Sequence, residues 1–419
     1  MIVLLDAQQL DLLTQLIQLD TVGGHEDRTA TFLDDYLTQH HIRHQLLAVE
    51  PGRHNVVAEI GPTEGPVFAL EGHQDVVALG DQNKWHHDPL GAEIIDQRMY
   101  GRGTSDMKAG LTAEILTMIT LANDPDFHGR VRLLATVGEE SSSTNHMQGA
   151  QYFAQHGYVD DVTALVTAEP SSVPVDWLKQ TPPANPLRFS EEQIQALLPQ
   201  NHAAEQFVLN FAHKGSLTYA VQAKGKAAHS STPELGLNAI DALMTYYQQQ
   251  TAYFQTLTAA NPVLGRTIPV VTKFTGGQQL NSVPSQAELF MKVRTVPEVP
   301  NEDILAHLND LIQAQNALGG CQLTLNLLGD KLPVASDPND KLIQILREVG
   351  EHHLQQHLPI GGSAAGTDAS ELIRANPQMA VTVFGPGNMT AHQIDEYVEL
   401  PIYEQFIAIF EETIRRYFK

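Results

Sequence analysis

The order of secondary structure legible in this chain changes character twice, and that constrains its fold more than any other feature. Up to Glu169-Pro170, short apolar runs alternate with amphipathic stretches. Helical spacing of Leu10, Leu12, Leu13, Leu16 and Ile17 predicts a helix over residues 7–19. A second helix is expected over 25–40, opened by the acidic pair in His25-Glu26-Asp27. Buried strands are expected at 55–60 and 66–70, bounded by Gly and Pro. A helix at 107–122, a strand at 131–137, a helix at 145–156 and a strand at 164–168 follow. Such alternation describes an α/β sheet with both faces covered.

The pattern stops after Pro170. Residues 171–213 are rich in proline and show no clean period, which suits a lid or a linker with a short helix. Strands are then expected at 216–223, 268–275, 286–295 and 322–328, with helices at 236–256 and 301–317. That β-α-β-β-α-β order is ferredoxin-like. From about residue 332 the first pattern returns, with a helix at 339–356, a strand at 379–384 and a helix at 400–417. The expected fold class is α/β, with a discontinuous larger domain of residues 1–213 and 331–419 whose mixed sheet is flanked by helices. Within it, 171–213 is an extended insertion. Residues 214–330 form an inserted α+β (ferredoxin-like) domain. A chain of 419 residues also exceeds what one core usually supports.

Charge and cysteine content narrow the chemistry. A formal charge of −24 argues against nucleic acid or an anionic membrane surface as partner. Any anionic substrate needs locally placed Arg, Lys or metal. The single cysteine, Cys321, excludes an internal disulfide and a thiolate metal site, so a metal here is held by nitrogen and oxygen. The first apolar run stops at Asp6 and lacks a basic region, unlike a signal peptide. No stretch approaches the ~20 apolar residues of a membrane span. These features suggest a cytoplasmic protein.

Chemistry-bearing residues recur at strand ends. His73 and Asp75, in Gly72-His73-Gln74-Asp75-Val76, point to one side of an extended chain. They read as surface residues, or as a ligand histidine with a carboxylate to accept its second N–H. Asp106 lies near a helix start and reads as an N-cap or as a carboxylate able to bridge two metals. Glu139-Glu140 follows an apolar strand. The pair is a solvated acidic turn, or one residue ligates metal while the other takes a proton from water. Glu169 and His392 each lie beyond another strand. Ligands of open α/β sheets bind beyond the carboxyl ends of strands, and a sulfur-free set of imidazoles and carboxylates suits hydrolytic zinc.

The chain resembles the dizinc aminoacylase, acetylornithine deacetylase, succinyl-diaminopimelate desuccinylase and carboxypeptidase G group. The resemblance spans nearly the whole sequence. It rests on Gly72-His73-Gln74-Asp75-Val76, Trp85 with Asp88-Pro89, Gly101-Arg102-Gly103-Thr104-Ser105-Asp106-Met107-Lys108, Glu139-Glu140, Ala168-Glu169-Pro170 and Gly225-Lys226-Ala227-Ala228-His229-Ser230. It implies two Zn2+ ions, with Co2+ or Mn2+ as substitutes. One would be held by His73, Asp106 and Glu169, the other by Asp106, Glu140 and His392. Asp75 would orient His73, and Glu139 would act as general base. The inserted domain would form a homodimer, His229 would reach the partner's active site to stabilise an oxyanion, and Asn281 and Arg294 would bind the substrate carboxylate. The segment from Gly361 to Gly366 and Thr367 is either a flexible loop or a nest of N–H groups that grips a carboxylate.

The implied activity is removal of an N-acyl group from an amino acid. A desuccinylase of lysine biosynthesis and an acetylornithine deacetylase are its leading forms. A dipeptidase or carboxypeptidase of the same group is the alternative, although related aminopeptidases tend to carry Asp where this chain has Glu169. An inactive metal-binding scaffold is the reading from another class, and it would be expected to have lost Glu139 or a ligand. The length of 171–213 departs from compact members of the group.

Overall fold

The computed structural model describes residues 7–140, 147–176 and 204–419. They form two compact units: Met1–Ala212 with Ala335–Ser363 and Thr367–Lys419, and His213–Val334 with Ala364–Gly366.

The first unit is built on a mixed sheet. Its central path runs Arg43–Glu50, Arg53–Ile60, Arg130–Thr136, Val67–His73, Val162–Pro170, Ala380–Gly385 and Leu209–His213. The four strands from Arg130–Thr136 to Ala380–Gly385 are mutually parallel, and the outer pairings are antiparallel. Val67–His73 is buried along its whole length, as a central strand covered on both faces must be. Parallel strands end on one edge. His73, the turn after Thr136, Glu169 and the loop after Gly385 therefore open on the same side, which is why residues far apart in sequence can meet there.

The helix Lys108–Ala122 packs into this unit with almost every residue buried. A Cβ on its Gly110 would lie 2.1 Å from the Ala168 carbonyl oxygen, so only glycine lets the helix come this close to the strand that carries Glu169. The same helix opens two residues after Asp106, and its close packing carries that residue to the strand ends. The amphipathic helices Lys341–Leu354 and Leu400–Tyr417 pack on each other, and the latter also packs on Lys108–Ala122.

The second unit is an antiparallel sheet in the order Ile268–Gly276, Gln286–Thr295, Gly215–Lys224, Gln322–Lys331. The helices Ala239–Thr256 and Asn301–Ala317 pack on it. In chain order this is strand 2-3-1-4, the ferredoxin-like arrangement. Gln286–Thr295 alternates buried and half-exposed residues, as a strand covered on one face should. Ile268–Gly276 forms one edge of the sheet and is exposed along nearly its whole length.

Some sequence expectations differ from the structure. Arg43–Glu50 is a strand that the sequence reading passed over. Of the proline-rich stretch, Ser172–Pro174 pairs with Glu205–Phe207, and Leu209–His213 enters the large sheet. Residues 177–203, the middle of the 171–213 stretch expected to be a lid or a linker with a short helix, lie outside the described residues. The glycine-rich segment begins as a strand, Ile360–Ser363, rather than as a loop. Among the described residues, no helix is long and apolar enough to cross a membrane.

Candidate metal centre

The strand-end geometry brings four side chains together around Asp106. Asp106 Oδ1 lies 3.0 Å from His73 Nε2, and Asp106 Oδ2 lies 3.1 Å from His392 Nε2. Glu169 Oε1 lies 3.6 Å from His73 Nε2, and Glu140 Oε1 lies 2.7 Å from His392 Nε2. Each oxygen of Asp106 thus faces its own imidazole, and each imidazole faces its own second carboxylate. His73, Asp106 and Glu140 also offer ligand atoms that all lie within 4.8 Å of one another.

Local bonds fix this arrangement. His73 Nδ1 bonds the carbonyl oxygen of Asp75 at 2.8 Å. A carbonyl only accepts, so Nδ1 carries a proton, and Nε2 is the nitrogen that faces the centre. The Asp75 carboxylate was expected to make that bond, but its Oδ1 lies 3.8 Å from Nδ1. Its hydrogen bonds go to the next turn. Oδ1 accepts from the backbone N–H of Gly138 (3.0 Å) and Glu139 (3.2 Å), and Oδ2 from that of Glu140 (2.9 Å). Asp75 therefore serves two parts of the site, His73 through its backbone and the Glu139-Glu140 turn through its side chain.

The electrostatics show what the donor set requires. Burial alone would raise the Asp106 carboxyl, but hydrogen bonds from His392 and His73 outweigh it and hold the group below the usual carboxylate range. Burial and the neighbouring Asp106 charge push Glu140 up to about 7, and the same two causes carry Glu169 well above its ordinary value. Hydrogen bonds to Asp106 and Glu140 raise His392 to about 10. Burial works against protonation of His73, yet the bond to Asp106 and the charge of Glu169 raise it well above normal. Every outer group is drawn towards an added proton. A cluster that demands this much positive charge, buried except for His392 and built only from imidazole and carboxylate, fits divalent cations.

The other expected site residues are placed as follows. Glu139 is adjacent to Glu140 on the turn held by Asp75. Thr367 lies in the first unit, where its hydroxyl accepts the Ala369 N–H at 3.3 Å at the start of Ala369–Ala375. His229, Asn281, Arg294 and Gly366 belong to the second unit. There His229 pairs with Ser282 in an isolated bridge, and Ser230 N–H donates to the Asn281 carbonyl at 3.0 Å. Both residues are exposed. His229 Nδ1 accepts from the Ser231 N–H at 3.2 Å, which leaves the proton of the neutral ring on Nε2. Arg294 pairs across strands with Ser216 and with Ile268.

The sequence reading passed over Glu396 and Arg102 as site residues. Both are buried, and they bond each other beside Asp106. Only the spacing of Glu396, four residues beyond His392, offered a signal.

Comparison with known proteins identifies the family. Residues 69–416 match the model of peptidase family M20/M25/M40. The chain belongs to this family. A probable succinyl-diaminopimelate desuccinylase of Staphylococcus aureus is 34% identical over 99% of this chain and 98% of its own. Two solved structures share the M20 fold. An M20 family metallo-carboxypeptidase from Sulfolobus solfataricus superposes with a TM-score of 0.75 at 18% identity, covering 98% of this chain and 99% of its own. A tripeptidase from Staphylococcus aureus gives 0.70 at 18% identity, covering 98% of each chain. This M20 chain is a hydrolase of amide bonds from a metal-dependent family.

Proposed function

We propose that this enzyme removes an N-acyl group from an amino acid in the cytoplasm, with N-succinyl-diaminopimelate as the leading substrate. The observation that carries the proposal is the pair of imidazole–carboxylate sets sharing Asp106, with Glu139 adjacent, in a chain similar over its full length to a probable succinyl-diaminopimelate desuccinylase. His73, Asp106 and Glu169 would hold one zinc ion, and Asp106, Glu140 and His392 a second. Bound there, the two ions would supply the positive charge that acidifies a water and polarises the amide carbonyl.

The remaining work falls to this chain's own residues. Glu139, its backbone N–H anchored to Asp75, accepts the water's proton during attack and passes it to the leaving amine. His229 of the partner subunit, with its proton on Nε2, donates to the oxyanion. Arg294 and Asn281 take the substrate carboxylate and align the scissile bond, with Gly366 and Thr367 as a further anion contact. The exposed edge strand Ile268–Gly276, with Ile268, Val270 and Phe274 among its exposed apolar residues, supports a homodimer through the second unit.

A second reading, a peptidase, is favoured by the tripeptidase and carboxypeptidase folds of the solved neighbours. One hydrolysis panel separates the two. Zinc-loaded protein is given N-succinyl-diaminopimelate, N-acetylornithine, several N-acetyl amino acids and two unblocked dipeptides, each with a chelated control. Chelator-sensitive release from an acyl substrate supports the proposal. Cleavage of the dipeptides alone contradicts it.

A further inference from the structure

Glu396 is fully buried and accepts four hydrogen bonds. Its Oε1 takes the backbone N–H of Gly103 (3.1 Å), Ser105 (2.8 Å) and Asp106 (3.0 Å). Its Oε2 takes Nη1 of Arg102 at 2.5 Å. Three N–H groups converging on one oxygen fix the backbone of the loop that ends in Asp106. A charged acceptor makes each of those bonds stronger than a neutral one would.

The same residue belongs to the loop that carries His392. Arg102, also buried, extends Nη2 towards the His392 carbonyl and the Ala78 carbonyl, each at 3.4 Å. The two loops are stitched at further points. Glu396's own carbonyl accepts the Gly101 N–H at 2.9 Å, and Ser105 Oγ donates to the Asn388 carbonyl at 2.9 Å while accepting the Asn388 N–H at 2.8 Å. A Cβ on Gly387 would sit 2.2 Å from the Ser105 carbonyl oxygen, so the loops touch backbone to backbone.

We infer that Glu396 is a positioning residue whose carboxylate, with Arg102, sets the separation of Asp106 and His392. The inference rests on the two-metal reading above and assigns the clamp an unequal effect. On the His73 side, two of three ligands, His73 and Glu169, stand on strands independent of the clamp. On the His392 side, two of three, Asp106 and His392, hang from it, and only Glu140 is independent. Loosening the clamp should therefore weaken the His392-side ion more than the other. A buried ion pair that only holds the fold together would not discriminate between them.

The test uses Glu396→Gln, which keeps an acceptor for the three N–H groups but turns an amide NH2 towards Arg102. Metal-free wild type and variant are titrated with Co2+, read by visible absorption and by bound-metal stoichiometry. Circular dichroism of the metal-free proteins confirms the fold. Wild type is expected to bind two ions. Glu396→Gln is expected to keep the first and bind the second about 10- to 100-fold more weakly, the usual cost of removing an outer partner of a metal ligand. Two ions bound as in wild type, or both weakened equally, would overturn the assignment. Should Glu396→Gln fail to fold, Arg102→Lys must show the same selective loss, since a lysine cannot serve Glu396 and the His392 carbonyl as the planar guanidinium does. Failure of wild type to bind a pair of ions would instead overturn the two-metal reading itself.

Discussion

Asp75 holds His73 with its backbone and leaves its carboxylate free for another task. The imidazole bonds the Asp75 carbonyl at 2.8 Å, while the side chain gathers the N–H groups of Gly138, Glu139 and Glu140. Asp75→Asn should accordingly act on Glu139 and Glu140 more than on His73. An amide accepts through one oxygen only, so at least one N–H loses its partner. The expected outcome is a loss of about 1–3 kcal/mol in stability and a 10- to 100-fold fall in turnover, with metal retained on the His73 side. Equilibrium unfolding and metal analysis of one preparation check this.

Glu139 lies on the same turn but is not among the paired ligands of Asp106. Glu139→Ala should lower kcat by about 10²- to 10⁴-fold while two ions stay bound. Loss of both ions in that variant would remove the role of base from Glu139.

A pH effect follows from Glu114, which lies buried in the helix Lys108–Ala122 and accepts the Glu71 N–H at 3.1 Å. Burial raises its carboxyl well above the usual 4.5. The folded chain therefore keeps this proton where the unfolded chain has lost it. The stabilisation is complete below about pH 4.5 and is lost as pH rises towards the folded value. Glutamine is neutral throughout and escapes that loss. Glu114→Gln should gain stability over wild type as pH rises from 5 to 7.5, by at most roughly 1.4 kcal/mol per pH unit. Urea unfolding across that range measures the gap, and a constant gap would contradict the argument.

The exposed edge strand makes a separate claim. Val270 is 48% exposed on Ile268–Gly276, so Val270→Glu should leave the second unit folded. If this edge joins two copies, the charge should shift the protein from dimer to monomer in analytical ultracentrifugation and lower turnover as His229 of the partner subunit is withdrawn. An unchanged dimer would place the interface elsewhere.

Much of the candidate site is legible in the sequence because its residues sit where apolar runs end. His73, Glu140 and Glu169 are marked by buried strands whose composition announces them, and parallel pairing then brings those ends to one edge. Arg43–Glu50 was missed because it is an outer strand with no buried residue, so its extended form depends on pairing with Arg53–Ile60 rather than on its own pattern. Leu209–His213 was hidden for a different reason, since it directly follows a proline-rich segment without a period. Glu396 is marked only by its spacing from His392, because most of its hydrogen bonds come from backbone N–H groups about 290 residues earlier, and an N–H leaves no mark in a sequence. Asp75 stands out in the sequence as a candidate, but which of its oxygens meets His73 depends on the Glu139-Glu140 turn, whose N–H groups take its carboxylate.

The most direct test of the account is anomalous diffraction at the zinc absorption edge from crystals of zinc-loaded protein. Two peaks per chain are expected on either side of Asp106, one contacting His73 and Glu169 and the other Glu140 and His392. A single peak, or peaks away from Asp106, would contradict it.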